Sequence, residues 1–205
     1  MNPTEAPLLI DQDGWCGALS HSECSNFDAR PEDTEISLLV IHNISLPPGE
    51  FGGGYIEALF ANALDCDVHP YFDRLRGLRV SSHFLIRRDG SATQFVSTLD
   101  RAWHAGLSEF QGRQRCNDFS IGIELEGSDH EVFCDAQYKT LAVLTQALAR
   151  RHPLTDVTGH QHIAPDRKTD PGPCFDWARF HKEFSALSGS ELSREQLPQL
   201  LRFPD

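Results

Sequence analysis

Nowhere do the 205 residues string together apolar side chains for anything near the roughly 18 that a membrane helix needs, so no bilayer span is expected. Basic clusters are also missing. Lys and Arg number 18 against 30 Asp and Glu, a net charge of −12 that excludes capture of nucleic acid or anionic lipid through counterion release. The first thirteen residues have no basic stretch, and Leu8-Leu9-Ile10 is their only apolar run. They do not read as a secretory leader, which makes a cytoplasmic location the expectation. No C-x-x-C pair occurs, and Cys16, Cys24, Cys66, Cys116, Cys134 and Cys174 are scattered along the chain. They are expected to be reduced, structural thiols. There is no internal repeat, and the length suits one domain with a sizeable core.

What is present is concentrated. From Gly159 to Pro173 the chain reads Gly-His-Gln-His-Ile-Ala-Pro-Asp-Arg-Lys-Thr-Asp-Pro-Gly-Pro. Pro165, Pro171, Gly172 and Pro173 argue for a shaped loop rather than a regular helix or a central strand. His160, His162 and Asp170 are possible metal ligands, and two nitrogens with one carboxylate are the donor set of many catalytic zinc sites that keep a position for water. Two further places offer a third ligand or a proton carrier. Leu38-Leu39-Val40-Ile41-His42-Asn43 is an apolar run ending in a histidine, and Ser120-Ile121-Gly122-Ile123-Glu124-Leu125-Glu126-Gly127 carries Glu124 inside a strand-like run. Polar groups set in strands buried on both faces need partners.

Around these segments the pattern alternates between strand and helix. Residues 36–46 read as a buried strand. Ile56, Leu59, Phe60, Ala63 and Leu64 form a helical stripe. Residues 80–87 and 92–96 are strands joined by a hairpin turn at Arg88-Asp89-Gly90-Ser91. Residues 104–118 form a polar excursion, and 120–126 is the next strand. Asp135 is the expected cap of a helix whose buried face is Tyr138, Leu141, Leu144, Thr145 and Leu148. A closing helix over 176–187 carries Trp177, Phe180 and Phe184 on one stripe. Together these imply an α/β (α+β) fold, a single domain over 1–187 with a mixed central sheet flanked by helices. Residues 188–205 read as a loosely ordered tail. The stretch 47–77, with Gly52-Gly53-Gly54, is longer than a compact connection requires, and a hinged lid and a static surface loop are both open for it.

Four segments together resemble a known family. They are Leu39 to Phe51, Ala102-Trp103-His104-Ala105-Gly106, Cys116 to Gly127, and Gly159 to Pro173. In this order they resemble the cytoplasmic zinc amidases that cleave 1,6-anhydro-N-acetylmuramoyl-L-alanine, members of the zinc amidase and peptidoglycan-recognition fold. The resemblance covers roughly residues 8–187. It implies one zinc ion held by His42, His160 and Asp170, with Glu124 handling the proton of the attacking water and Lys168 stabilising the oxyanion. The implied substrate is an anhydro-muropeptide met during cell-wall recycling, through which such enzymes also restrain β-lactamase induction. Asn43, Arg79 and Arg115 would contact peptide carboxylate and sugar, with Trp103 and His104 at the rim of the groove. The chain is expected to act as a monomer. A non-catalytic muropeptide-binding module and a periplasmic cell-wall amidase of the same fold are the rival readings. A binding-only relative has no reason to keep His42, His160, Asp170, Glu124 and Lys168 together.

Several neighbours stay in competition with that set. His162 could replace His160 on spacing alone, and His160 is preferred because it follows Gly159 in the motif that carries the resemblance. Glu126 shares strand parity with Glu124, and its alternative role is a salt bridge or a cap. Cys174 is a conceivable thiolate ligand, and His83 a buried structural partner.

Overall fold

The computed structural model describes residues 8–188 and 201–204. Its elements begin with two short strands, β1 (Ser20–His21) and β2 (Phe27–Asp28), followed by the long strand β3 (Leu38–Ile44) and a short helix α1 (Tyr55–Phe60). A 3₁₀ turn over Pro70–Leu75 leads to β4 (Phe84–Ile86) and β5 (Ala92–Gln94), and then β6 (Arg101–Ala102). The polar excursion folds as a hairpin of β7 (Glu109–Phe110) and β8 (Arg113–Gln114) and a 3₁₀ turn over Cys116–Asp118. Next come β9 (Ser120–Glu126), helix α2 (Asp135–Arg151), β10 (Asp156–Gly159), one helical turn α3 (His160–Ile163) and helix α4 (Trp177–Ser188).

Six strands form the central sheet in the order β1-β5-β4-β9-β3-β10. Only the β4–β5 hairpin is antiparallel, so the sheet is mixed as expected. The hairpin turns at Gly90, whose φ of +85° suits glycine, and a Cβ there would come within 2.9 Å of Ala136 on α2.

Strand alternation gives the sheet two different faces. Leu39, Ile41, Ile121, Ile123 and Leu125 pack with Tyr138, Leu141, Leu144 and Leu148 of α2 and Phe180 of α4. Ser120, Gly122, Glu124 and Glu126 share the other parity, as do Leu38, Val40 and His42, and this face carries the polar groups. Leu38 and Val40 are covered by Ala105, Cys116, Phe119 and Ile163. A separate cluster built from Leu46, Ile56, Leu59, Phe60, Phe72 and Leu85 anchors the 47–77 stretch to the sheet. That stretch thus packs as a wall with its own buried core.

Several boundaries differ from the sequence expectation. The stripe continuing to Ala63 and Leu64 overshoots α1, because the chain leaves the helix at Ala61 and Asn62 takes a left-handed φ of +57°. The cap of α2 is Cys134 rather than Asp135: the Gln137 side chain accepts the Cys134 N–H at 3.0 Å, while Asp135 pairs with Arg179 at 2.8 Å. The 159–173 segment is not wholly loop, since its prolines begin only after α3 has formed. At the far end, residues 189–200 and Asp205 lie outside the described residues, but Leu201–Pro204 depart from the expectation of a loose tail. Arg202 bridges in parallel to Asp156 at the free edge of β10, Leu201 is buried, and the Phe203 ring lies 5.1 Å from Phe180.

Removing residues 189–205 takes Leu201 out of the main core cluster and Phe203 off the α4 face. We expect a loss of about 1–3 kcal/mol of unfolding free energy, the scale of one or two buried apolar side chains, measured by urea denaturation. An unchanged urea midpoint would mean that these contacts contribute nothing.

Candidate active site

The carboxyl ends of parallel strands are where open α/β sheets collect functional groups. Here β3, β9 and β10 run parallel side by side, with His42 abreast of Glu124 and Gly159 abreast of Ile41. His160 opens α3 immediately beyond β10, and the loop after α3 returns so that Asp170 O accepts the Gln161 N–H at 2.8 Å. Three ligand atoms converge in this way. His42 Nδ1 lies 3.0 Å from His160 Nδ1 and 3.0 Å from Asp170 Oδ2, and His160 Nδ1 lies 3.1 Å from Asp170 Oδ2. Among the described residues, His42, His160 and Asp170 are the group of histidine, cysteine and acidic side chains arranged to hold a metal ion.

Electrostatics favour a cation at the centre of this triangle. Burial pushes the His42 imidazole down to about 4, helped by the neighbouring His160, so its ring is neutral at ordinary pH. Burial works against the Asp170 carboxylate, but hydrogen bonds shared with Nδ1 of His160 and His42 outweigh it and hold the group well below the usual carboxylate range; with both ring protons on Nε2, a bound cation would take the place of those shared protons. His160 Nε2 lies 3.1 Å from the Ala105 carbonyl, which can only accept. The ring proton therefore sits on Nε2 and the Nδ1 lone pair points into the triangle. Edges of 3.0–3.1 Å are close to the ~3.3 Å between neighbouring ligands of a tetrahedral ion with bonds of about 2.0 Å.

Glu124 completes the polar cluster. It is buried, its Oε2 has no hydrogen-bond partner, and burial together with the Asp170 charge raises its carboxyl well above the usual range, opposed by Lys168. An orphaned carboxylate oxygen beside a donor set of this kind fits a water bound at the metal position. Lys168, on the loop between α3 and Asp170, also lines the site, and its ammonium has no hydrogen bond or ion pair among the described residues. These groups open into a cavity of about 740 Å³ between the 47–77 wall, through Leu59, Tyr71 and Arg74, and the loop carrying Ser128 and Asp129.

The competing residues separate cleanly. Two residues apart on the turn α3, His160 and His162 diverge by about 200°. His162 Nδ1 instead accepts the Gly159 N–H at 3.1 Å. Glu126 stands on the same face as Glu124 but is taken up by Arg87 at 2.5 Å and by the Gly52 N–H at 2.6 Å. Cys174 Sγ contacts the Asp129 carbonyl at 3.2 Å, and buried His83 accepts the Gly122 N–H at 3.0 Å, so neither reaches the triangle.

Of the expected substrate contacts, Asn43, Trp103 and His104 line the cavity. The Asn43 amide donates to Asp129 at 2.8 Å and to the Pro171 carbonyl at 3.0 Å, leaving its oxygen for a ligand. His104 is buried, and both ring nitrogens have protein partners, His42 at 3.0 Å and Ser120 at 3.2 Å. Arg79 lines a smaller adjoining pocket, and Arg115 pairs with Asp118 at 3.1 Å away from the groove. Sequence reasoning missed the wall residues Tyr71 and Arg74, Asp129, and the Ala105 carbonyl. Asp129 was findable, since it follows the carboxyl end of β9. A backbone carbonyl leaves no sequence signal.

Residues 32–173 match the family model described as N-acetylmuramoyl-L-alanine amidase. The chain is 54% identical over 188 residues to the 1,6-anhydro-N-acetylmuramyl-L-alanine amidase AmpD of Citrobacter freundii, covering 91% of this chain and 100% of that one. The chain belongs to the N-acetylmuramoyl-L-alanine amidase family. Among solved structures, a selenomethionine derivative of AmpD superposes with a TM-score of 0.83 at 56% identity, covering 86% of this chain and 99% of that chain. The amidase AmiD of Escherichia coli, solved with anhydro-N-acetylmuramic acid-L-Ala-D-γ-Glu-L-Lys, superposes with a TM-score of 0.54 at 27% identity, over 85% of this chain and 65% of that chain. The protein is accordingly a hydrolase, an amidase with a mixed α/β fold.

Replacing His42, His160 or Asp170 by Ala should each abolish metal retention after dialysis, read by elemental analysis. Stoichiometric metal in His42→Ala would refute the ligand assignment.

Proposed function

We propose that this amidase cleaves the amide between the lactyl group of a 1,6-anhydro-N-acetylmuramoyl sugar and L-alanine, with one zinc ion held by His42, His160 and Asp170. The observation that carries this reading is the unpartnered Glu124 Oε2 beside the three converging ligand atoms, at the floor of the groove. The named activity of the Citrobacter relative and the substrate bound to AmiD support the choice of an anhydro-muropeptide. A recycling role in the cytoplasm, as in the enzymes the four segments resemble, belongs to the same reading. All site groups come from one chain, which suits a monomer.

When bound, zinc supplies a Lewis acid for the amide carbonyl and lowers the pKa of water to about 7. The chain's own groups do the rest. Glu124 accepts the proton of the attacking water at Oε2 and delivers it to the departing alanine nitrogen. The Lys168 ammonium, unpaired among the described residues, meets the negative charge that develops on the carbonyl oxygen. Asn43 can bind substrate only as an acceptor, because its amide hydrogens are committed to Asp129 and Pro171. That selects a substrate N–H rather than a carboxylate at this position. Arg79, exposed beyond the Leu75 and Leu78 end of the groove, is the candidate for a peptide carboxylate. Arg115 would have to leave Asp118 to do the same. A purely binding module leaves without purpose a buried Glu124 with an orphaned Oε2 and a Lys168 unpaired among the described residues.

Hydrolysis of an anhydromuramoyl tripeptide, followed by mass spectrometry, tests the reading. Glu124→Ala should keep zinc and lose turnover by about 100-fold or more, the scale of a positioned proton carrier. Glu126→Ala should keep most of its turnover and lose stability instead, through the lost buried bonds to Arg87 and to the Gly52 and Arg88 N–H groups. Equal losses of turnover in the two variants would remove the role given to Glu124.

A further inference from the structure

A chain of hydrogen bonds runs from the floor of the groove into the protein, and its direction can be read from its far end. The Cys116 carbonyl can only accept, so Ser120 Oγ donates to it at 2.6 Å. Ser120 Oγ then accepts from His104 Nε2 at 3.2 Å, which leaves the lone pair of His104 on Nδ1. That atom lies 3.0 Å from His42 Nε2. His42 must carry its proton on Nε2, and its Nδ1 lone pair faces His160 and Asp170.

The His104 ring is held from other directions as well. Asn117 Oδ1 accepts the N–H groups of both His104 and Ala105, at 3.1 and 2.7 Å, and so fixes the backbone beneath the ring. The same backbone presents the Ala105 carbonyl to His160 Nε2 at 3.1 Å. On the sheet side, a Cβ on Gly122 would stand 2.5 Å from His104 Cγ, so the imidazole occupies the space that glycine leaves open.

We infer that His104 is a positioning residue for the metal centre: it accepts the Nε2 proton of His42, while Asn117 through Ala105 does the corresponding service for His160. His104 thus acts beneath the substrate, as a group that fixes which nitrogen of His42 is free. Outer partners of this kind orient ligand rings and set their basicity. The inference rests on the assignment of His42 as a ligand and adds the atom through which it ligates.

Competition with a chromophoric chelator measures zinc affinity without reference to catalysis. His104→Ala should weaken zinc binding by about 10–100-fold, the usual cost of losing such a partner. His104→Asn, which returns an acceptor near the Nδ1 position, should recover most of it, and Gly122→Ala should weaken binding with His104 still present. Affinity within twofold of the unaltered protein in His104→Ala, or no recovery in a folded His104→Asn, would overturn the inference. Should the alanine variant fail to fold, nitrogen NMR of the unaltered zinc-loaded protein decides. A proton on His42 Nε2 with coupling across the bond to His104 Nδ1 is expected, whereas zinc on His42 Nε2 would refute the proposal. If His42→Ala also kept zinc, the ligand assignment itself would be at fault. If only the His104 variants kept it, this inference alone would fail.

Discussion

In the pairing of β3 with β9, His42 stands beside Glu124, and in the pairing of β10 with β3, Gly159 stands beside Ile41. Parallel register brings three carboxyl ends to one edge of the sheet, and each end delivers one chemical part. β3 brings a ligand, β9 brings the carboxylate with no partner, and β10 brings a turn that begins with the second ligand. A shift of one residue in β9 would replace Glu124 by an apolar side chain on that face. The helices α2 and α4 enforce the register from the opposite side, because Ile121, Ile123 and Leu125 are buried against them.

The same alignment separates groups that look equivalent in sequence. Glu126 lies two residues beyond Glu124 on the same face, yet it meets Arg87, Arg88 and the Gly52 N–H where the 47–77 wall crosses the sheet. One carboxylate is satisfied by a guanidinium and backbone donors, and the other is left for chemistry. Burial and the nearby Asp170 charge raise the proton affinity of Glu124, whose Oε2 has no donor.

Much of this was legible in the chain itself. β9 was bounded correctly at 120–126, because a strand buried on both faces reads as a continuous run with abrupt ends. The buried face of α2 followed its stripe. Errors arose where tertiary contacts override local pattern: α1 stops short at a left-handed Asn62, Cys134 rather than Asp135 caps α2, and Phe203 docks on α4 from a segment that reads as a loosely ordered tail. At the site, residue identity came from the resemblance, but orientation did not. Arg115 turns to its near neighbour Asp118, and His104 turns both nitrogens inward because His42 and Ser120, distant in sequence, claim them.

The central claim is that two imidazole nitrogens and one carboxylate hold zinc while every cysteine stays out of the site. X-ray absorption at the zinc edge of the loaded protein tests it most directly. The account predicts scattering from two histidine rings and from oxygen donors, with no sulfur in the first shell. A sulfur distance of about 2.3 Å, or a third imidazole, would contradict it.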